Sequence, residues 1–173
     1  MKEAHPMNDP HLQLAQSIAA RFAQLPLVEA IALTGSYMMG VADDASDIDL
    51  YIYIQRDIPV PDRMAAAAPY RDGAEFNVQF WGTEDFWYNA DTGIRVEAIY
   101  MWQSFIEGEI ERVLHRHEAW TGYSTAFTHS IRSGRILFDR NGWLARMQAE
   151  AQQYPDALRD AIIAKNHPIL RRV

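Results

Sequence analysis

Two aspartates, Asp47 and Asp49, lead into an apolar run from Leu50 to Ile54. Side chains of a strand alternate between its faces, so the two carboxylates share one face and Ile48, Leu50, Ile52 and Ile54 take the other. Like charges this close repel unless a cation lies between them. A hard, oxygen-seeking ion such as Mg²⁺ suits the pair. Upstream, the apolar run Ala30-Ile31-Ala32-Leu33 stops at Gly35-Ser36. Glycine lets a backbone turn approach a ligand closely. The Gly35 amide and the Ser36 hydroxyl can then donate to phosphate oxygens, as turn amides do in other anion sites. The chemistry these residues could support is metal-assisted handling of a phosphate. The plainer alternative for Asp47 and Asp49 is a solvated strand start that caps a turn.

The ordered set of Gly35-Ser36, ten residues, then Asp47-Ile48-Asp49, with an apolar strand before and after, resembles the signature of the nucleotidyltransferase superfamily. That group includes DNA polymerase beta, the poly(A) and CCA-adding polymerases and the aminoglycoside nucleotidyltransferases. Gly40 and Ser46 also fit its bacterial members, and looser similarity to small bacterial nucleotidyltransferase-domain proteins extends through RVEAIYM and YPDALRDAIIAKN.

The resemblance implies transfer of a nucleoside monophosphate from an NTP, ATP among them, to an acceptor hydroxyl, with release of pyrophosphate. It implies that Asp47 and Asp49 bridge two Mg²⁺ ions and that a third acid on a later strand completes the set. The apolar-acid-apolar setting Val96-Glu97-Ala98 fits that third position. Catalytic and metal roles thus fall to Asp47, Asp49 and Glu97, and nucleotide binding to Gly35, Ser36 and Ser46. The competing reading of Glu97 is an ion pair with Arg95 on a solvated face. Glu75 and Asp91 are weaker candidates, at element edges.

One departure stands out. Many relatives place a cation a few residues after the glycine-serine pair, whereas this loop reads Tyr37-Met38-Met39. Later cations are Arg56, Arg71 and Arg95, with Arg132 and Arg135 available through folding. No residue presents itself as a general base. Two other classes of function stay open: a non-catalytic partner module of the antitoxin type, and a nucleotide-binding regulator.

The elements that must position these groups follow from periodicity. Leu12, Ala15, Ile18, Ala19 and Phe22 share one face of a helix from His11 to Gln24. Strands are expected at Val28–Thr34, Ile48–Ile54, Glu75–Trp81 and Ile94–Met101. Asp62–Ala68 reads as a turn or two of helix, and GTEDFWYNADTG as a loop or short helix. Helices are expected at Trp102–His117, Phe127–Ile136, Asn141–Tyr154 and Asp156–Asn166. Trp81, Trp87, Tyr88 and Trp102 could form a stacking wall, although aromatics around paired strands more often build core. Pattern alone gives only an α/β or α+β fold. The expected architecture is mixed α/β: a small, strongly twisted sheet of four or five strands, with helices on one face and a helical C-terminal segment. The nucleotidyltransferase fold is what the resemblance adds. The division expected is a catalytic domain over 1–140 and a helical extension over 141–173, short by nature or cut short.

Bulk composition bounds the rest. With 49% hydrophobic residues, the chain can build a core. Sixteen basic against 23 acidic residues leave a formal charge of −7, unlike the basic stripe that grips duplex DNA. The absence of cysteine rules out disulfides and thiolate ligands and agrees with a cytoplasmic location. No apolar run approaches the roughly 20 residues needed to span a bilayer. The six histidines form no metal-binding pattern.

Overall fold

A computed structural model describes residues 10–38, 46–79 and 82–170. The expectations for Met39, Gly40, Trp81 and the first nine residues lie outside that range. The amphipathic stretch near the start forms α1 (Pro10–Phe22), which buries Ala15, Ile18, Ala19 and Phe22. A continuous apolar run becomes β1 (Val28–Leu33), fully buried along its length. A short α2 (Gly35–Met38) follows, then β2 (Ile48–Ile54). Pro59 and Pro61 pre-set the first turn of α3 (Val60–Ala67). The chain continues through β3 (Glu75–Gln79), β4 (Thr83–Tyr88) and β5 (Arg95–Trp102). After α4 (Gln103–Ile110) and a π-helical turn (Glu111–His115) come α5 (Ala126–Ser133), β6 (Arg135–Asp139), α6 (Trp143–Glu150) and α7 (Asp156–Leu170).

The strands form one six-stranded mixed sheet in the order β3-β4-β5-β2-β1-β6. Its central pair, β2 and β5, runs parallel, with Asp49 opposite Glu97. The neighbouring pairs are antiparallel.

The fold class is the mixed α/β one expected, with two differences of detail. Helices cover both faces of the sheet rather than one. Ile31, Leu33, Ile48, Leu50, Val96 and Ala98 pack toward α1 and α3. Ala30, Ala32 and Tyr53 pack on the other face with Ile106 of α4, Ile131 of α5 and Trp143 and Leu144 of α6. The sheet also has six strands. The first added strand is β4, in the stretch expected to be a loop or short helix. Its two acids disguise a period-2 pattern, because Asp85 points into the core. There it accepts from Arg63 Nη1 at 2.9 Å and from the Tyr100 hydroxyl at 2.8 Å, and this makes a buried carboxylate tolerable. The second is β6, read as the tail of a helix. Gly134 divides α5 from it: a Cβ there would lie 3.0 Å from the Ser130 carbonyl oxygen and 3.2 Å from the Ala32 Cβ.

Candidate active site

The parallel pairing of β2 with β5 builds the cleft. Residues opposite one another on adjacent strands share a face, so Asp49 and Glu97 stand side by side. Asp47, one residue ahead of β2, comes level with Arg95 at the start of β5. Each of Asp47, Asp49 and Glu97 offers a carboxylate oxygen, and these oxygens all lie within 4.8 Å of one another. The three side chains are half-buried. The reading in which Glu97 only pairs with Arg95 captures one contact of a larger arrangement. Arg95 Nη1 lies 2.7 Å from Asp47 Oδ2 and 3.6 Å from Glu97 Oε2, so one guanidinium spans two of the three acids. Glu75 and Asp91 are exposed and stay outside this group.

Gly35 stands against the same cluster. Its φ is +68°, and a Cβ built there would fall 1.7 Å from Asp49 Oδ2. Any side chain would displace the carboxylate, so glycine is required both by the backbone and by Asp49. Thr34 ties the turn to β2. Its amide donates to the Asp49 carbonyl oxygen at 2.9 Å and its hydroxyl to the same oxygen at 3.3 Å. Ser36, half-buried, follows in α2. Ser46 lies on the other side of Asp47, where its carbonyl oxygen accepts from His11 Nε2 at 3.1 Å. A cavity of about 380 Å³ opens here, lined by Ser46, Asp47, Tyr88, Thr92, Gly93, Ile94 and Arg95.

Electrostatics follow from this crowding. Burial pushes the Asp49 carboxyl up, the Asp47 charge pushes it further, and Arg95 opposes both. Glu97 is raised by burial first and by Asp49 next, again against Arg95, with smaller upward pushes from Glu84 and Asp47. The all-oxygen ligand set and the mutual repulsion of its members fit a hard divalent cation such as Mg²⁺.

Of the other cations weighed in the sequence, Arg56, Arg132 and Arg135 are exposed. Arg71 donates to the Ala90 carbonyl oxygen and packs against Gly93 at the cavity wall. Among its described members the stacking wall does not form. Trp87 is buried in the core beside Phe22 and Phe76. Trp102 sits at the far end of β5, donating to Asp57 Oδ1 at 2.9 Å. Tyr88 alone of the described members lines the cavity.

Three residues near the site escaped the sequence reading. Thr34 was seen only as the end of a strand. Tyr51 shares the Asp49 face by alternation, and its hydroxyl is raised chiefly by burial, against a hydrogen bond with Ser130, with the Asp49 and Glu97 charges adding to the rise. Glu84, buried on β4, lies near enough to raise Glu97. Recognising β4 would have put Glu84, Phe86 and Tyr88 on the site's face, opposite Ile99, Glu97 and Arg95.

The central strands of a mixed sheet thus bring three carboxylates beside a glycine turn, in an arrangement that could hold a metal ion. The nucleotidyltransferase-domain family model matches residues 15–117, more than half of the chain, and the chain belongs to this family. Nucleotidyl transfer is the general function that membership supports. The chain is also similar to the crystal structure of a nucleotidyltransferase-like protein from Exiguobacterium sibiricum, at 15% identity and a TM-score of 0.47. That similarity covers 83% of this chain and 39% of the other. No curated protein matches it.

Proposed function

We propose that the protein transfers a nucleoside monophosphate from an NTP to an acceptor hydroxyl, releases pyrophosphate, and works in the cytoplasm. The observation that carries this reading is the convergence of Asp47, Asp49 and Glu97 against Gly35. Asp47, Asp49 and Glu97 would hold two Mg²⁺ ions. When bound, such ions neutralise triphosphate charge and lower the pKa of a coordinated hydroxyl.

The chain's own residues supply position. Gly35 leaves the Asp49 carboxylate its place, and Thr34 fixes the turn to β2. The Gly35 amide and Ser36 hydroxyl would donate to phosphate oxygens, and Ser46 would border the nucleotide from the cavity side. Because phosphoryl-type transfer has a loose transition state, holding and charge stabilisation account for most of the rate.

A non-catalytic reading, as a nucleotide-binding regulator or an antitoxin-type partner module, is favoured by one contact: the Arg95–Asp47 ion pair closes the acids on an internal cation. Calorimetry of each NTP with and without Mg²⁺, followed by a pyrophosphate-release assay, separates the readings. Labelled NTPs offered with panels of antibiotics, tRNA and small proteins then identify the acceptor. An enzyme binds NTP with Mg²⁺ and releases pyrophosphate in the presence of one acceptor. Binding without release across the panels would favour the regulator, and neither binding nor release would favour the partner module.

A further inference from the structure

Arg95 occupies ground that a divalent ion would need. Its guanidinium touches Asp47 at 2.7 Å and Glu97 at 3.6 Å, two of the three carboxylates that converge here. It also lies 5.1 Å from the centre of the Phe86 ring, which supports it from β4. A cation shared among Asp47, Asp49 and Glu97 and a guanidinium already spanning two of them compete for the same carboxylates. The backbone at Arg95 is held by pairing with β4, opposite Tyr88, so only the side chain is free to move away.

The place it can move to is adjacent. Arg95 lines the cavity of about 380 Å³ beside Asp47, and among the described residues that line it Arg95 is the only cation. That volume falls in the usual range of small-molecule sites. A triphosphate entering next to three carboxylates meets repulsion that the Arg95 guanidinium, which lines the cavity, would offset. Its planar fork suits two phosphate oxygens at once, which an ammonium cannot match.

We propose that Arg95 is a resident counter-cation that holds the acidic cleft together before metal binds and passes to the phosphates of the incoming nucleotide when a divalent ion replaces it. This rests on the nucleotidyltransfer reading above. Arg95 then does two jobs of opposite sign: it weakens metal binding to the empty cleft and strengthens binding of the metal–nucleotide complex.

The test uses the full chain, with Mn²⁺ alone as the metal probe, followed by its paramagnetic resonance signal. The nucleotide probe is the tightest of the four Mg·NTPs by calorimetry. In Arg95→Gln, Mn²⁺ should bind about two- to fivefold tighter, the scale of a lost partly exposed ion pair. Mg·NTP should bind about tenfold or more weakly, the scale of lost charge-assisted hydrogen bonds. Arg95→Lys keeps the charge without the fork, so its Mn²⁺ affinity should stay near wild type while Mg·NTP still weakens. This second variant also preserves the test if the glutamine variant proves unstable. Unchanged or weaker Mn²⁺ binding in Arg95→Gln, or unchanged Mg·NTP affinity in either variant, would overturn the proposal. A wild type that binds neither Mn²⁺ nor any Mg·NTP would overturn the functional reading itself, a result distinct from failure of the Arg95 variants.

Discussion

Asp49 concentrates the conflict between stability and function. Its carboxyl and that of Glu97 are raised by burial and by neighbouring charge. A group with a raised folded-state pKa contributes stability that is complete below its unfolded value and is lost as pH rises through the folded value. For Asp49 that loss begins near the ordinary aspartate value of 3.8 and is complete above the raised one. At neutral pH without metal the cleft is therefore a strain on the fold. Asp49→Asn removes one charge and should melt higher than wild type in chelator, with the gap closing as the solution is acidified. Mg²⁺ should raise the wild-type melting point by mass action and the mutant's less. Transfer by the same mutant should fall on the order of 10²-fold or more, a typical loss for one preorganised electrostatic group. If chelator and Mg²⁺ give one wild-type melting temperature and Asp49→Asn melts lower, the carboxylates are structural. Gly35→Ala tests the neighbouring constraint. A positive φ of +68° and a Cβ 1.7 Å from Asp49 Oδ2 should destabilise the fold by about 1–3 kcal/mol and displace the carboxylate. Urea titration should show the first effect and weakened Mn²⁺ binding the second; full retention of metal affinity would sink the proposed contact.

Among the elements, β4 explains most of what the sequence concealed. One of its faces borders the site through Glu84, Phe86 and Tyr88, while the other turns Asp85 and Trp87 into the core beneath α1 and α3. Asp85 is fully buried, its carboxyl raised by burial against hydrogen bonds from the Asn77 amide and the Tyr100 hydroxyl and the charge of Arg63. Arg63 of α3, itself buried, thus ties that helix to β4, and its other nitrogen Nη2 donates to Asn77 at 3.1 Å. Removing one member of a buried ion pair strands the other, at a cost of about 3–5 kcal/mol. Arg63→Met should lower stability to urea by that amount, and Arg63→Met with Asp85→Asn should recover most of it. Asp85 pairs with Ala98, which packs on the face opposite Glu97, so Mn²⁺ affinity of the folded variants should hold. Equal stability of single and double variants would show that the pair is not what the carboxylate depends on.

For the molecule as a whole, charge sets the expectation about partners. A formal charge of −7 and an acidic cleft oppose the counterion release that drives proteins onto duplex DNA. Among the described residues, no helix is long and apolar enough to cross a membrane. We therefore expect no useful affinity for random duplex at physiological salt. Fluorescence anisotropy showing sub-micromolar, salt-sensitive binding would contradict this and direct attention to Arg56, Arg71, Arg95, Arg132 and Arg135.

What the sequence determined by itself was local. Alternation placed Asp47 and Asp49 on one face of β2 and four isoleucines and leucines on the other, because a strand's period is fixed by its backbone. The turn glycine at 35 and the apolar-acid-apolar run at Glu97 were also visible, the latter as the third acid that the resemblance implied, and the expected bounds of β2 match the structure. Strand pairing is not local. Only the tertiary structure set β5 parallel to β2 in a register that puts Glu97 beside Asp49, and so put Arg95 level with Asp47. It also made strands of two stretches whose composition suggested otherwise. Asp85 is tolerable inside β4 only because Arg63 and Tyr100 arrive from elsewhere in the chain, and Arg135–Asp139 pairs with β1 after Gly134 ends the helix before it. Contacts between residues far apart in sequence decide such cases, and periodicity within a short window holds no record of them.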